Sequence, residues 1–195
     1  MITRAVEYLV NQLIDNDMIE ETQREDYYYS LECFLEGVVT TTSILILALC
    51  FQNLLPTITF LIFFFSLRKR TGGFHLDTFK GCYIGTLVLY VCVSILSIII
   101  VNKMIFLACL TISAYIFILM IGTVNHPNMD MSREELEAAK VSSRLMVSLL
   151  MILIVFLWWI GIDIEIIVYM CMAVILCGSL LLLAKIIKQE VKTNG

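Results

Sequence analysis

Hydrophobic residues in this chain come in long blocks, and the polar residues collect between them. Six blocks stand out, near 36–54, 55–67, 83–101, 104–122, 144–161 and 164–184. A helix that crosses a bilayer needs roughly 20 mostly apolar residues, with a range of about 17–25. Block 55–67 is shorter. It opens at Leu55-Pro56, and proline suits a first helical turn, where its missing N–H costs nothing. Lipid offers the backbone no partners, so each block reads as a helix that satisfies itself. Tight turns at 52–56, 102–103 and 161–165 join them. The pattern predicts an all-α integral membrane protein, one polytopic domain over 1–195 with six transmembrane helices.

The first 24 residues follow a different pattern. Ile2, Val6, Leu9, Val10, Leu13 and Ile14 recur at helical spacing, with Thr3, Arg4, Glu7, Asn11 and Asp15 opposite them. This predicts an N-terminal amphipathic interfacial helix. Its apolar face could lie on the membrane, on the protein's own base or on a second subunit. There is no basic start followed by an unbroken apolar core, so it does not read as a signal peptide. Tyr27-Tyr28-Tyr29 follows, a composition that favours the membrane interface. In the long segment 123–143, Ser132 precedes Glu135 by three residues, which predicts a helix starting near Arg133 and running into the fifth span.

Charge orients the spans. With the N-terminus inside, the inner segments carry Arg4, Arg24, Arg68, Lys69, Arg70, Lys80, Arg133, Lys140, Arg144, Lys185, Lys188 and Lys192. Lys103 is the one basic residue left outside. The positive-inside rule therefore favours six spans, with both termini and the loop 68–82 cytoplasmic. Composition agrees: 60% of residues are hydrophobic and 15% are charged, too few to give a soluble domain its polar cover and the reverse of a disordered tail. A net charge of −4 argues against nucleic acid as a partner.

Seven cysteines raise the question of disulfides or metal. Cys50, Cys92, Cys109, Cys171 and Cys177 fall within apolar blocks, where they read as small hydrophobes. No Cys-x-x-Cys pair exists, so no metal or other cofactor is expected. His75 and Cys82 differ, because they share one basic-side loop, Arg68 to Cys82. A cysteine nucleophile needs a base to form thiolate, and histidine is the usual one. Seven residues on a straight helix rise about 10 Å, whereas proton transfer needs about 3 Å. A working pair therefore requires a bend, which Gly72, Gly73 and Gly81 make easy. A His and a Cys in one loop can also be unrelated, and spacing alone leaves both readings open.

At this loop the sequence resembles the accessory gene regulator B (AgrB) family of bacterial membrane cysteine endopeptidases. The family pattern is an Arg-rich stretch, a Gly two residues before a His, and a Cys seven residues after it. It is met here by Arg68, Gly73, His75 and Cys82. The stretches Tyr29-Ser30-Leu31-Glu32 and His126-Pro127-Asn128 extend the likeness along the chain. The resemblance implies a bacterial cell membrane protein that processes an AgrD-like quorum-sensing propeptide. Cys82 would attack a peptide carbonyl, with His75 as base and then acid. A cysteine of the precursor would then displace the thioester to give a cyclic thiolactone.

A third group that orients His75 could be Glu32 or the nearby Asp77; Glu36, Asn125 and Gln52 are weaker choices, with Gln52 expected on the outer side. Glu32 could equally be an interfacial acid paired with Arg68 or Arg70. Arg68 could bind a substrate carboxylate or serve only as a positive-inside signal. The N–H groups near Cys82 are the natural oxyanion donors, and no chemistry is assigned to His126. A water-poor pocket open to the cytoplasm and the membrane edge is expected. The resemblance also suggests a homodimer. The competing readings are a non-enzymatic peptide exporter or regulatory partner, and a peptidase that hydrolyses without cyclising. A channel or transporter is disfavoured, because ionisable residues are lacking deep in the spans.

Overall fold

The computed structural model describes residues 2–16, 18–72, 79–125 and 131–187. Among these it contains seven α-helices and no strand: α1 (Ile2–Asp15), α2 (Arg24–Cys50), α3 (Leu54–Thr71), α4 (Phe79–Ile100), α5 (Met104–Ile121), α6 (Arg133–Trp159) and α7 (Ile164–Ile187). Five stretches within them are long and apolar enough to cross a membrane: Glu21–Cys50, Lys80–Ile100, Met104–Ile121, Arg133–Trp159 and Ile164–Ile187. Helix α3 is not among these five. Its last turn is Arg68-Lys69-Arg70, and its apolar part, Leu54–Leu67, is roughly 21 Å long against a hydrocarbon core of about 30 Å.

Two helices reach well beyond the apolar blocks that announce them. Helix α2 starts at Arg24 rather than near 36, because Glu25 and Asp26 suit the positive end of a helix. Its added turns are covered by α1. Val6 and Val10 are fully buried, with Ile19, against Leu31, Leu35 and Tyr28. The apolar face of α1 is thus used by the protein's own α2. Arg24 fastens the junction, donating to Glu21 at 3.0 Å and Asn11 at 2.9 Å. Helix α6 starts at Arg133 with the reciprocal cap its sequence predicts. The Glu135 N–H donates to Ser132 Oγ (3.3 Å), and the Ser132 N–H donates to Glu135 Oε2 (2.9 Å).

Helix α7 is the centre of the bundle, in contact with α3, α4, α5 and α6. Ile167 through Val174 are buried without interruption. Its enclosure comes from its place among four neighbours, since the equally apolar α5 lies largely on the outside. Helix α5 comes close to it where Gly178 meets Ala114: a Cβ on Gly178 would lie 3.0 Å from the Ala114 Cβ.

At the α2–α3 turn, a polar knot joins three helices. Asn53 donates to Tyr169 Oη (2.5 Å) and accepts from Tyr90 Oη (3.2 Å), whose hydroxyl also bonds Thr57 Oγ1 (2.8 Å). Tyr90 and Thr57 are buried, so these groups must satisfy one another. Tyr169→Phe leaves the Asn53 amide short of an acceptor. It should cost about 1 kcal/mol and lower the Tm of the detergent-solubilised protein without changing its helix content by circular dichroism.

Candidate active site around Cys82

Cys82 lies on α4, near the start of its described part. Cys82 is a free, half-buried thiol. Its carbonyl accepts from Thr86 Oγ1 at 2.8 Å, and the neighbouring Tyr83 hydroxyl bonds Ser43 on α2 at 3.0 Å. The start of α4 is therefore held by its own next turn and by α2.

The basic stretch at the end of α3 divides among three directions, because consecutive residues on a helix point about 100° apart. Arg68 turns inward and is half-buried. Its guanidinium donates to the Gly72 carbonyl and lies within electrostatic reach of the Cys82 and Cys177 sulfurs. Lys69 is exposed. Arg70 reaches α6, with Nε on Ser142 Oγ at 3.0 Å and Nη1 on the Ser66 carbonyl at 2.8 Å.

A second set of bonds fixes the point where α3 ends. Gly72 has φ +61° and ψ −135°, a conformation that only glycine adopts readily. The Val124 N–H donates to the Thr71 carbonyl at 3.3 Å, and a Cβ on Gly72 would stand 3.2 Å from the Val124 carbonyl oxygen. On the other side, Ser143 Oγ donates to the Gly122 carbonyl (2.8 Å) and Arg144 Nε to the Leu119 carbonyl (2.9 Å). Asn125 is fully buried and bonds Met131 twice. It donates to the Met131 carbonyl at 3.2 Å and accepts from the Met131 N–H at 3.0 Å.

Of the other residues that the sequence pointed to, Gly73, His75, Asp77 and His126 lie outside the described residues. Glu32 and Glu36 are half-buried on α2, one turn apart. Glu32 precedes Ser43, the contact of Tyr83, by roughly 16 Å along the α2 axis. Gln52 lies in the α2–α3 turn at φ +58°, at the end of α3 opposite Arg68. Asn125 has its amide engaged by Met131. The bonds Tyr83–Ser43, Val124–Thr71 and Asn125–Met131 had no signal in the residue pattern beyond the glycines Gly72 and Gly122 beside the helix ends. Among the described residues no group of His, Cys, Asp or Glu could hold a metal ion. A polar hollow of about 350 Å³ is lined by Glu7, Arg24, Glu25 and Tyr28, and an apolar one of about 490 Å³ lies between α5 and α6; Cys82 lines neither.

A chain helical throughout its described residues, with several membrane-length helices and a free, half-buried thiol on one of them, defines a polytopic membrane protein with a candidate nucleophile. Comparison with known families makes this specific. The model of accessory gene regulator B (AgrB) matches residues 4–186, nearly the whole chain, and the chain belongs to that family. No curated protein and no solved structure matches it. Membership supports a role in the agr quorum-sensing system and implies the context of an AgrD-like propeptide. Gly72→Ala tests the α3 exit. The conformation and the nearby Val124 carbonyl should together cost about 1–3 kcal/mol, read as a fall in the Tm of the solubilised protein.

Proposed function

We propose that the chain is a membrane-embedded cysteine endopeptidase that cleaves an AgrD-like propeptide and closes it into a thiolactone. The observation that carries this reading is the free, half-buried Cys82 thiol on α4 within electrostatic reach of the Arg68 guanidinium, in a chain of this family. A cysteine nucleophile acts as its thiolate, which a base must generate. In the first step His75 takes the Cys82 proton and the sulfur attacks the scissile carbonyl. The amide C–N bond then breaks, the proton passes from His75 to the leaving amine, and the precursor's N-terminal part remains as a thioester. In the second step the thiol of a precursor cysteine attacks that thioester. Its proton returns through His75 to the Cys82 sulfur, and the ring is released.

The second step exchanges one thioester for another, so amide cleavage is the costly stage. Holding the precursor thiol near the acyl group makes closure effectively unimolecular, and an apolar surround keeps hydrolysis from competing. Arg68 offers a cation to the charge that develops at the sulfur or the carbonyl oxygen, and backbone N–H groups near Cys82 are candidate oxyanion donors. Gly73 would let the loop bend, and Asp77 would orient His75. Glu32 would act through that loop rather than on the thiol.

This reading counts α3 as a sixth crossing and α1 as an interfacial helix, in one domain over 1–195. It places both termini and the 68–82 loop in the bacterial cytoplasm and takes a homodimer as the assembly. The three-residue turn between α2 and α3 supports the count, because α3 can only return toward the side from which α2 came. In intact cells a membrane-impermeant maleimide should label Lys103→Cys above the wild-type background and leave Lys69→Cys at background; the reverse pattern would overturn the orientation.

The chemistry is tested by mass spectrometry in proteoliposomes with an AgrD-like precursor. Wild type should form a thioester adduct on Cys82 and then a ring one water lighter than the hydrolysed peptide. Cys82→Ala should form neither, and His75→Ala should lose at least about a hundredfold in rate. An intact precursor with wild type and a verified cognate substrate would favour an exporter or a regulatory partner instead.

A further inference from the structure

Helices α5 and α6 are joined by two polar rungs and leave a hollow beyond them. Arg144 Nε donates to the Leu119 carbonyl at 2.9 Å. One turn further along each helix, the Tyr115 hydroxyl bonds Ser148 Oγ at 3.3 Å. Past that second rung lies the apolar hollow of about 490 Å³. Met151, Ile152, Val155 and Trp159 line it and follow Ser148 at helical spacing, so they share one face of α6. Traced back past Ser148, the same face carries Arg144, Lys140 and Glu137. Glu137 pairs with Lys140 at 2.7 Å and lies within electrostatic reach of Arg144; two cations against one carboxylate leave this end net positive. Arg144 is half-buried and spends Nε on Leu119. Among the described residues its two terminal nitrogens bond nothing.

We propose that this face of α6 binds one anionic phospholipid, with the lipid phosphate on the Arg144 guanidinium and an acyl chain in the hollow between α5 and α6. The site stands apart from the Cys82–His75 chemistry. A guanidinium presents a planar fork of donors that matches a phosphate, and basic positions between spanning helices are where anionic headgroups are held. From Ser148 to Trp159 the hollow runs roughly 16 Å along the helix axis, close to one leaflet's share of a hydrocarbon core of about 30 Å. Arg144 stands one turn beyond its near end, where a headgroup joins its chains. Cation and apolar wall thus follow one another in the order of a lipid. A helix from a second copy fits less well. Helices in a membrane pack through small residues that let their backbones approach, and here Ser148 is the one small residue beside methionine, isoleucine, valine, phenylalanine and tryptophan.

The test is native mass spectrometry of the detergent-solubilised protein, titrated with phosphatidylglycerol and, separately, with phosphatidylcholine of the same acyl chains. Wild type should take up its first phosphatidylglycerol at least about fivefold more tightly than phosphatidylcholine, the worth of one basic residue at an anionic headgroup. Arg144→Gln should abolish that preference, whereas Lys69→Gln, which removes an exposed cation on α3, should keep it. Ile152→Trp fills the hollow without altering charge and should weaken phosphatidylglycerol by about fivefold or more; it carries the test if the Arg144 variant fails to fold. Equal binding of the two lipids by wild type overturns the site. So does an equal loss with Lys69→Gln and Arg144→Gln, which would mean diffuse attraction to the whole basic end. Unchanged binding by Ile152→Trp overturns it as well, because the chain would then lie elsewhere. Finally, Ile152→Cys should form no disulfide-linked dimer above the wild-type background when membranes are mildly oxidised. A strong dimer band would assign this face to a second copy and overturn the lipid site.

Discussion

One backbone hydrogen bond, from the Val124 N–H to the Thr71 carbonyl, joins two segments far apart in sequence. Among the described residues every other backbone bond outside the helices is local. Helix ends leave carbonyls without partners, and near lipid such groups are expensive. The end of α3 resolves this with borrowed donors: Arg68 for the Gly72 carbonyl and Val124 for that of Thr71. The exit of α3 is thus a solution to a solvation problem, solved by partners from its own last turn and from the segment after α5.

Other helices of the bundle hold α3 in place. Helix α7 is buried along most of its length and packs against α3 and α5. Cys177 sits on this helix, its sulfur 3.7 Å from the Phe64 carbonyl, so the wall behind Arg68 is part of the bundle's centre. At the other end of α3, the Asn53 knot ties Tyr90 of α4 and Tyr169 of α7 to the α2–α3 turn. Helices α3, α4 and α7 are therefore fixed relative to one another at that end. Packing supplies most of the cohesion among apolar helices, and hydrogen bonds set their register.

Division of labour within Arg68-Lys69-Arg70 shows how one charged stretch serves several needs. In a topology rule the three residues count equally as positive charge. In the folded chain one lies inside within electrostatic reach of two thiols, one faces out, and one binds α6. A half-buried cation is costly to desolvate, and the Gly72 carbonyl offsets part of that cost by accepting a hydrogen bond from it.

Most of the helical architecture was legible in the residues themselves. Apolar blocks of bilayer length, the uniform hydrophobicity of 164–184 and the Ser132–Glu135 cap are local patterns, each governed by near neighbours; the expected loop 68–82 is in part helix, with Arg68 on α3 and Cys82 on α4. The true start of α2 at Arg24 was not legible, because the turns before 36 are stabilised by α1 across a chain reversal. Nor was the short, basic-ended α3 legible as a central strut, since its contacts with α6 and α7 come from distant parts of the sequence. The sequence by itself determined which segments are helices, because that depends on local composition and periodicity. Tertiary structure alone decided that Arg68, rather than Lys69 or Arg70, comes within electrostatic reach of Cys82, and that Asn125 spends its amide on Met131. Those choices turn on which faces of separate helices meet, and no local pattern encodes that.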